Sequence, residues 1–401
     1  MVLWKKIEEA RRKIDGVILK TPIIYSDTLS SLIGQEIYLK LENLQKTGSF
    51  KLRGAYHKLS SLTPSLRRKG VVTASAGNHA QGVAMASSLL GIHSTIVMPE
   101  GTSLAKQMAT RSYGGKVLLF GKNMEEALGY AHQLEREGRV FIHPFDDEEV
   151  IAGQGTIGLE ILDEVPRVEA MILPVGGGGL ISGVATIVKK RRPEVKIIGV
   201  QSSHAPSALL SLKKGKIVEV KTQPTLADGI AVGRIGEITF PIIQKKVDQL
   251  VKVDEEEIAS AILLLIERKH VIAEGAGATP LAALLSKKVK TKAKRIVLVI
   301  SGGNMDVHLL DRIIEKGLTR TGRMIRLEVL LRDVPGSLSR LTYLIAQLRA
   351  NILHIIHERA TKDIPIGFSK VIMVLETRGP DHIHEMDKGL KEQGHSFKFL
   401  S

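Results

Sequence analysis

Short aliphatic runs without polar alternation recur along the chain: EIYLKLE (36–42), GVVTAS (70–75), STIVMP (94–99), KVLLFG (116–121), RVFIHP (139–144), AMILPVG (170–176), VKIIGV (195–200), DQLVKV (248–253) and RIVLVISG (295–302). A strand with one wet face alternates, so these runs predict strands covered on both faces. Segments of helical length lie between them, among them 78–90, 123–138, 180–191 and 254–268. Strand and helix in alternation imply parallel sheets with helices on both sides, an α/β architecture. The pattern breaks at LTRTGRMI (318–325), and a linker is expected at 319–325. Beyond it, RLEVLLRD (326–333), a helix opened by Pro335, Gly336 and Ser337, NILHIIHER (351–359), FSKVIMVLE (368–376), a helix from about Asp381 and HSFKFL predict the order βαββαβ. That order describes a ferredoxin-like module over 326–401. The region 1–318 is longer than one core usually organises and is read as two α/β subdomains.

Composition narrows the classes. The 401 residues carry 57 basic and 42 acidic side chains, a formal charge of +15, and no cysteine. A disulfide framework, a thiolate nucleophile and Cys-ligated metal centres are therefore excluded. No apolar stretch is long enough to span a bilayer, so no membrane partner is expected. The opening MVLWKKIEEARRKI reads as amphipathic and not as a secretion signal, and a cytoplasmic chain is expected. The positive charge raises the question of nucleic acid. It is concentrated at Lys189–Arg192 and in the run 287–295, each just before an aliphatic strand, where cations suit the negative end of a helix dipole. With 4 % aromatic residues there are no stacking platforms, and no nucleic-acid partner is expected.

Four segments carry candidate chemistry. In LENLQKTGSFKLRGA, Lys51 lies between strand and helix among Gly48, Ser49, Phe50 and Gly54, where an amine can be held in a semi-apolar pocket for Schiff-base chemistry. Lys46 and Lys58 are its near neighbours, and each of the three is also compatible with a solvated surface charge. In SAGNHAQG, Ser75 to Gly82, a strand runs into a helix start whose unsatisfied N–H groups suit a carboxylate. Asn78 can equally be a plain cap and His79 a packed histidine. In PVGGGGLISG, Gly176 to Gly179 strip the side chains from a turn before a helix, leaving successive N–H groups to surround a phosphate. The spacing is neither that of a dinucleotide fingerprint nor that of a P-loop, and a purely structural turn remains the alternative. SGGN, Ser301 to Asn304, closes the last strand. All four sit at the carboxyl ends of expected strands, where open α/β sheets bind ligands. A lysine amine, a phosphate cradle, a carboxylate-binding helix start and a lone hydroxyl together describe pyridoxal phosphate better than a nucleotide.

KTGSFKLRGA, SAGNHAQGVA, PVGGGGLISG and SGGN, in this order, resemble the threonine dehydratases (threonine ammonia-lyases) of the fold-type-II pyridoxal-phosphate enzymes, over about residues 5–315. The resemblance implies a two-lobed, tryptophan synthase β-like catalytic region. It also implies Lys51 as the Schiff-base lysine beside Phe50, Asn78 as partner of the cofactor's 3′-oxygen, and Gly176, Gly177, Gly178, Gly179 and Leu180 as the phosphate loop. Ser301 is placed facing the pyridine nitrogen, with Ser75, Gly77 and His79 around the substrate carboxylate. Serine racemases share these motifs but carry a serine at the position of Ala76, whose methyl cannot donate a proton, so elimination is expected. Asp228 lies where some relatives help hold a divalent cation; it and Glu274 are left open between a cap and a ligand. The tail resembles an ACT regulatory domain, with DVPGSLSRL as its first turn. It is expected to bind a branched amino-acid effector near Asp333, Pro335, Gly336, Ser337, Leu338 and Ile352. A homodimer or homotetramer acting on a small amino acid, threonine ahead of serine, completes the expectation.

Overall fold

The computed structural model describes residues 2–359 and 363–400. The chain divides into two compact units, Met1–Met305 and Asp306–Ser401. In chain order the first holds strands β1 (Ile23–Tyr25), β2 (Glu36–Leu41), β3 (Val71–Ala74), β4 (Ser94–Met98), β5 (Lys116–Leu119), β6 (Val140–Phe141), β7 (Ala170–Pro174), β8 (Lys196–Ser202), β9 (Gln249–Val253) and β10 (Arg295–Ile300). They form a six-stranded sheet, β1-β2-β10-β7-β8-β9, and a four-stranded sheet, β5-β4-β3-β6. Every pairing is parallel except that of β1 with β2. The smaller sheet is therefore an insertion between β2 and β7 of the larger. Burial explains the missing alternation: all five residues of β4 and of β7 are buried.

The helices begin where side chains can satisfy free N–H groups. Asp147 caps Glu148–Glu164 through the N–H groups of Glu149 and Val150. Asp254 and Glu257 make a reciprocal capping box on Glu255–Lys269. One core packs around the larger sheet with Met171, Leu173, Ile197 and Val297, and another around the smaller with Val71, Ile96 and Ile142.

The second unit contains β11 (Met324–Arg332), β12 (Asn351–Glu358), β13 (Phe368–Glu376) and β14 (Ser396–Leu400) in the antiparallel order β12-β13-β11-β14. Helices Ser337–Gln347 and Pro380–Glu392 cross between them, so the predicted βαββαβ order is present. Its core joins Leu327, Leu341, Val371, Met373 and Met386. The linker at 319–325 is corrected. Residues Val307–Arg320 are helical, β11 already starts at Met324, and the units part at Met305 rather than at 318. That helix buries only Ile313, a single apolar anchor too sparse to read as a periodic stripe.

Candidate active site

Three of the four motifs follow adjacent strands, β2, β10 and β7, and the fourth follows β3 in the inserted sheet. The loop before Lys51 is stitched to the loop after β10. Ser49 bridges Gly302, Phe50 N–H donates to the Ser301 carbonyl (3.1 Å), and Gly303 N–H donates to the Gly48 carbonyl (2.9 Å). Gly48 has φ +68°, and a Cβ there would lie 2.3 Å from the Asn304 amide oxygen, so no other residue closes this turn.

A narrow cleft opens at these strand ends, and Phe50, Lys51, Asn78, Gly176 to Gly179, Leu180 and Ser301 all line it. Lys51 begins helix Lys51–Ser60, and its Nζ donates to the Pro144 carbonyl at 2.8 Å. Burial lowers this amine to about 8, against a smaller opposing pull from Glu274. Lys46 reaches the Val17 carbonyl and Lys58 pairs with Asp147, so neither points into the cleft.

The glycine loop is closely packed, with no room for side chains. A Cβ on Gly177 would lie 2.4 Å from the Phe145 ring, and Gly178 stands at φ +97° as the N-cap of helix Gly179–Arg191. Thr239 Oγ1 donates to the Gly177 carbonyl (2.7 Å), and the Asp146 carboxylate in turn accepts from the Glu237, Ile238 and Thr239 N–H groups. The main chain at this helix start thus forms a cradle for a phosphate ester. An enclosed lysine amine and a phosphate cradle in one cleft fit pyridoxal phosphate.

Residues 14–302 match the family described as pyridoxal-phosphate dependent enzymes. The chain belongs to that family. Pyridoxal phosphate is the enzyme's cofactor. Over 401 residues, the whole of both chains, the enzyme is 50 % identical to the L-threonine ammonia-lyase of Thermotoga maritima. It is 50 % identical over 396 residues, 98 % of each chain, to the L-threonine ammonia-lyase of Geobacter sulfurreducens. Among solved structures, the processed form of threonine deaminase isoform 2 from Solanum lycopersicum superposes with a TM-score of 0.75 at 42 % identity, covering 78 % of this chain and 92 % of that one. Maize serine racemase gives a TM-score of 0.74 at 34 % identity, covering 79 % and 98 %.

Other expected positions fall differently. Gly77 is the N-cap of helix Asn78–Leu89, its N–H donating to Ser75 Oγ at 3.3 Å, while Asn78 makes no cap. Instead the Asn78 amide donates to both carboxylate oxygens of Glu274 (2.8 and 2.9 Å). The His79 ring is buried with Nε2 3.0 Å from the Ile142 carbonyl, and burial, followed by Lys51, pushes it down to about 3. The imidazole is therefore neutral, and Ser75, Gly77 and His79 adjoin the cleft through Asn78, which lines it. Asp228 is exposed and paired with Lys106 at 3.2 Å. Among the described residues no group of three or more carboxylate and imidazole side chains is placed to hold a metal. Glu274 lines the cleft, and burial pushes its carboxyl up to about 7.

The two basic runs meet elsewhere. Arg167, Arg192, Lys196, Lys290, Lys292 and Arg295 line a larger open trough at the amino ends of β7 to β10, away from the motifs. In the second unit Asp333 pairs with Arg359 (3.0 Å), and Gly336, at φ +87°, caps Ser337–Gln347. Pro335 is exposed and Ser337 buried. Leu338, in helix Ser337–Gln347, and Ile352, in β12, are half-buried and packed against that unit's core. Sequence reasoning missed Pro144, Phe145 and Thr239, which act on the site through a carbonyl, a ring face and a hydroxyl brought in from distant segments. Among the described residues no helix is long and apolar enough to cross a membrane.

Proposed function

We propose that the enzyme removes the amino group of L-threonine by β-elimination to give 2-oxobutanoate and ammonia, converting L-serine to pyruvate more slowly. The observation that carries this reading is the enclosed Lys51 amine facing a main-chain phosphate cradle, in a chain that matches two L-threonine ammonia-lyases along its length. When bound, pyridoxal phosphate supplies a sink for the electrons left at the substrate's Cα. With the cofactor and substrate bound, the Lys51 Nζ, lowered toward neutrality, would be the base that takes the Cα proton. Gly176 to Gly179 and Leu180 would hold the phosphate, Ser301 would face the ring nitrogen and Asn78 the ring oxygen. The N–H groups at the start of helix Asn78–Leu89, with the Ser75–Gly77 turn, hold the substrate carboxylate. His79 contributes main chain only, its ring being committed to Ile142. One water leaves from Cβ and one is taken back when the released product hydrolyses, so threonine balances as 2-oxobutanoate plus ammonia. A racemase reading has solved neighbours on its side, but the Ala76 methyl cannot return a proton from the face opposite Lys51.

Residues 326–401 act as an ACT domain that binds a branched-chain amino acid, isoleucine first, near Asp333 and the start of helix Ser337–Gln347. The enzyme is a cytoplasmic homodimer or homotetramer feeding isoleucine synthesis. Borohydride reduction with peptide mapping tests the site, and label on Lys46 or Lys58 in place of Lys51 overturns it. Assay of 2-oxobutanoate from threonine, with and without isoleucine and valine, tests the rest. No oxo acid refutes the activity, and unchanged kinetics with no heat on titration refutes the effector.

A further inference from the structure

Glu274 is a buried carboxyl in the cleft that the chemistry above leaves without a task. It stands at the N-cap of helix Gly275–Leu285 yet makes no capping bond with its side chain. Its oxygens are instead taken by the Asn78 amide nitrogen, while the Asn78 amide oxygen accepts from Asn304 Nδ2 at 2.8 Å. The same Asn304 nitrogen donates to the Thr47 carbonyl at 2.7 Å, in the loop that leads to Lys51. Amide nitrogens only donate, and carbonyl or carboxylate oxygens only accept. The chain from Thr47 through Asn304 and Asn78 to Glu274 therefore has one sense. Turning the Asn78 amide over would set its oxygen against the carboxylate and its NH2 against that of Asn304. Asn78 Nδ2 lies 2.8 and 2.9 Å from the two Glu274 oxygens, a pair that one bifurcated N–H can serve, and the second N–H would then be offered to an acceptor in the cleft.

We infer that Glu274 and Asn304 are positioning residues which lock the Asn78 amide with its N–H side toward the cofactor. The inference rests on the reading that Asn78 faces the cofactor in this cleft. Neither residue needs to touch the cofactor. Asn304 fixes the oxygen end and Glu274 the nitrogen end, 226 and 196 residues away in the chain. The charged groups bearing on Glu274 are Lys51, Asp228 and Lys106, and with burial pushing it up to about 7, its pull on the amide changes near neutral pH.

The test is a double-mutant cycle read by cofactor dissociation from the holoenzyme and by its absorption spectrum across pH 6–8. Asn304→Ala is expected to raise the cofactor Kd about tenfold, the scale of one hydrogen bond. In an Asn78→Ala background it should cost clearly less than in wild type, since of its bonds only those to Thr47 and Gln81 remain to be lost. Glu274→Gln, which keeps an acceptor oxygen, should hold the Kd within about threefold while flattening the pH dependence of the spectrum. Glu274→Ala should lose about tenfold. Additive losses in the cycle, or Gln and Ala equally damaging at position 274, overturn the inference. Should Asn304→Ala fail to fold, the paired position-274 variants decide alone. Borohydride labelling of wild type at Lys51 separates this from a failed site: label elsewhere refutes the site, whereas label at Lys51 with an additive cycle refutes only the positioning.

Discussion

Replacing Arg53 by Met strikes the point where the helix that carries Lys51 is anchored. Arg53 is fully buried, two residues after Lys51, and its guanidinium donates to two carboxylates. Nε and Nη2 reach Glu42 at 2.8 Å each, and Nη1 and Nη2 reach Glu160 at 2.6 and 2.9 Å. Lys40, also fully buried, donates to Glu160 at 2.5 Å and to the Thr21 carbonyl at 2.7 Å. The cluster is neutral, two cations against two anions, and joins β2, helix Lys51–Ser60 and helix Glu148–Glu164. Removing one partner of a buried pair costs ~3–5 kcal/mol, because a buried charge is left uncompensated. At about 2 °C per kcal/mol for a unit of this size, Arg53→Met should lower Tm by about 6–10 °C at pH 8. Adding Glu42→Gln leaves Lys40 facing Glu160 alone and should recover part of the loss. In wild type, Arg53 holds Glu42 below the usual carboxylate range against the opposing effect of burial. In the single variant burial acts unopposed by Arg53 and raises Glu42. A raised group stabilises while protonated and loses that contribution as pH rises through its folded value, so the deficit should shrink in acid. Scanning calorimetry of both variants with saturating cofactor is the assay. A single variant within 2 °C of wild type, or a double no better than the single, refutes the reasoning.

Gly177→Ala should weaken cofactor binding at least tenfold with the fold retained, since the new Cβ meets the Phe145 ring at 2.4 Å and must push the cradle out of place; absorbance titration of the apoenzyme checks it. Glu149 is held down to about 2, first by its hydrogen bond to His57 and then by Lys6, so its contribution is present above about pH 4.5 and disappears as pH falls toward 2. Glu149→Gln should flatten the stability profile in that window, which acid-dependent urea melts will show. Wild type should accumulate no D-amino acid from L-serine or L-threonine, and Ala76→Ser should introduce measurable racemisation by chiral chromatography. D-isomer formed by wild type as fast as oxo acid refutes the role given to Ala76.

What was legible in the chain was what local physics dictates. β4, β7 and β10 read as strands because burial on both faces leaves only aliphatic residues to choose from, and helices Met124–Arg136 and Glu255–Lys269 read as segments of helical length between such strands. β1 escaped because three residues carry no period, and the helix Val307–Arg320 because one buried residue makes no stripe. The site divides the same way. Lys51, the glycine loop and Ser301 announce themselves because a backbone turn must be built around each, and turns demand particular residues at fixed offsets. Glu274, left open between a cap and a ligand, and Asn304, the end of SGGN, do not announce a role, since a carboxyl next to glycine and an asparagine after two glycines serve as caps and turns throughout proteins. Their meaning arises only when β10 is laid beside β2, which brings Asn304 to Thr47, and when the inserted sheet returns Asn78 to Glu274. Reactive groups can thus be read from neighbours in sequence, whereas the orientation of those groups is set by partners that only the fold supplies. Swapping residues within the motifs should therefore cost activity outright, while swapping the distant partners should leave the chemistry present but loosely aimed.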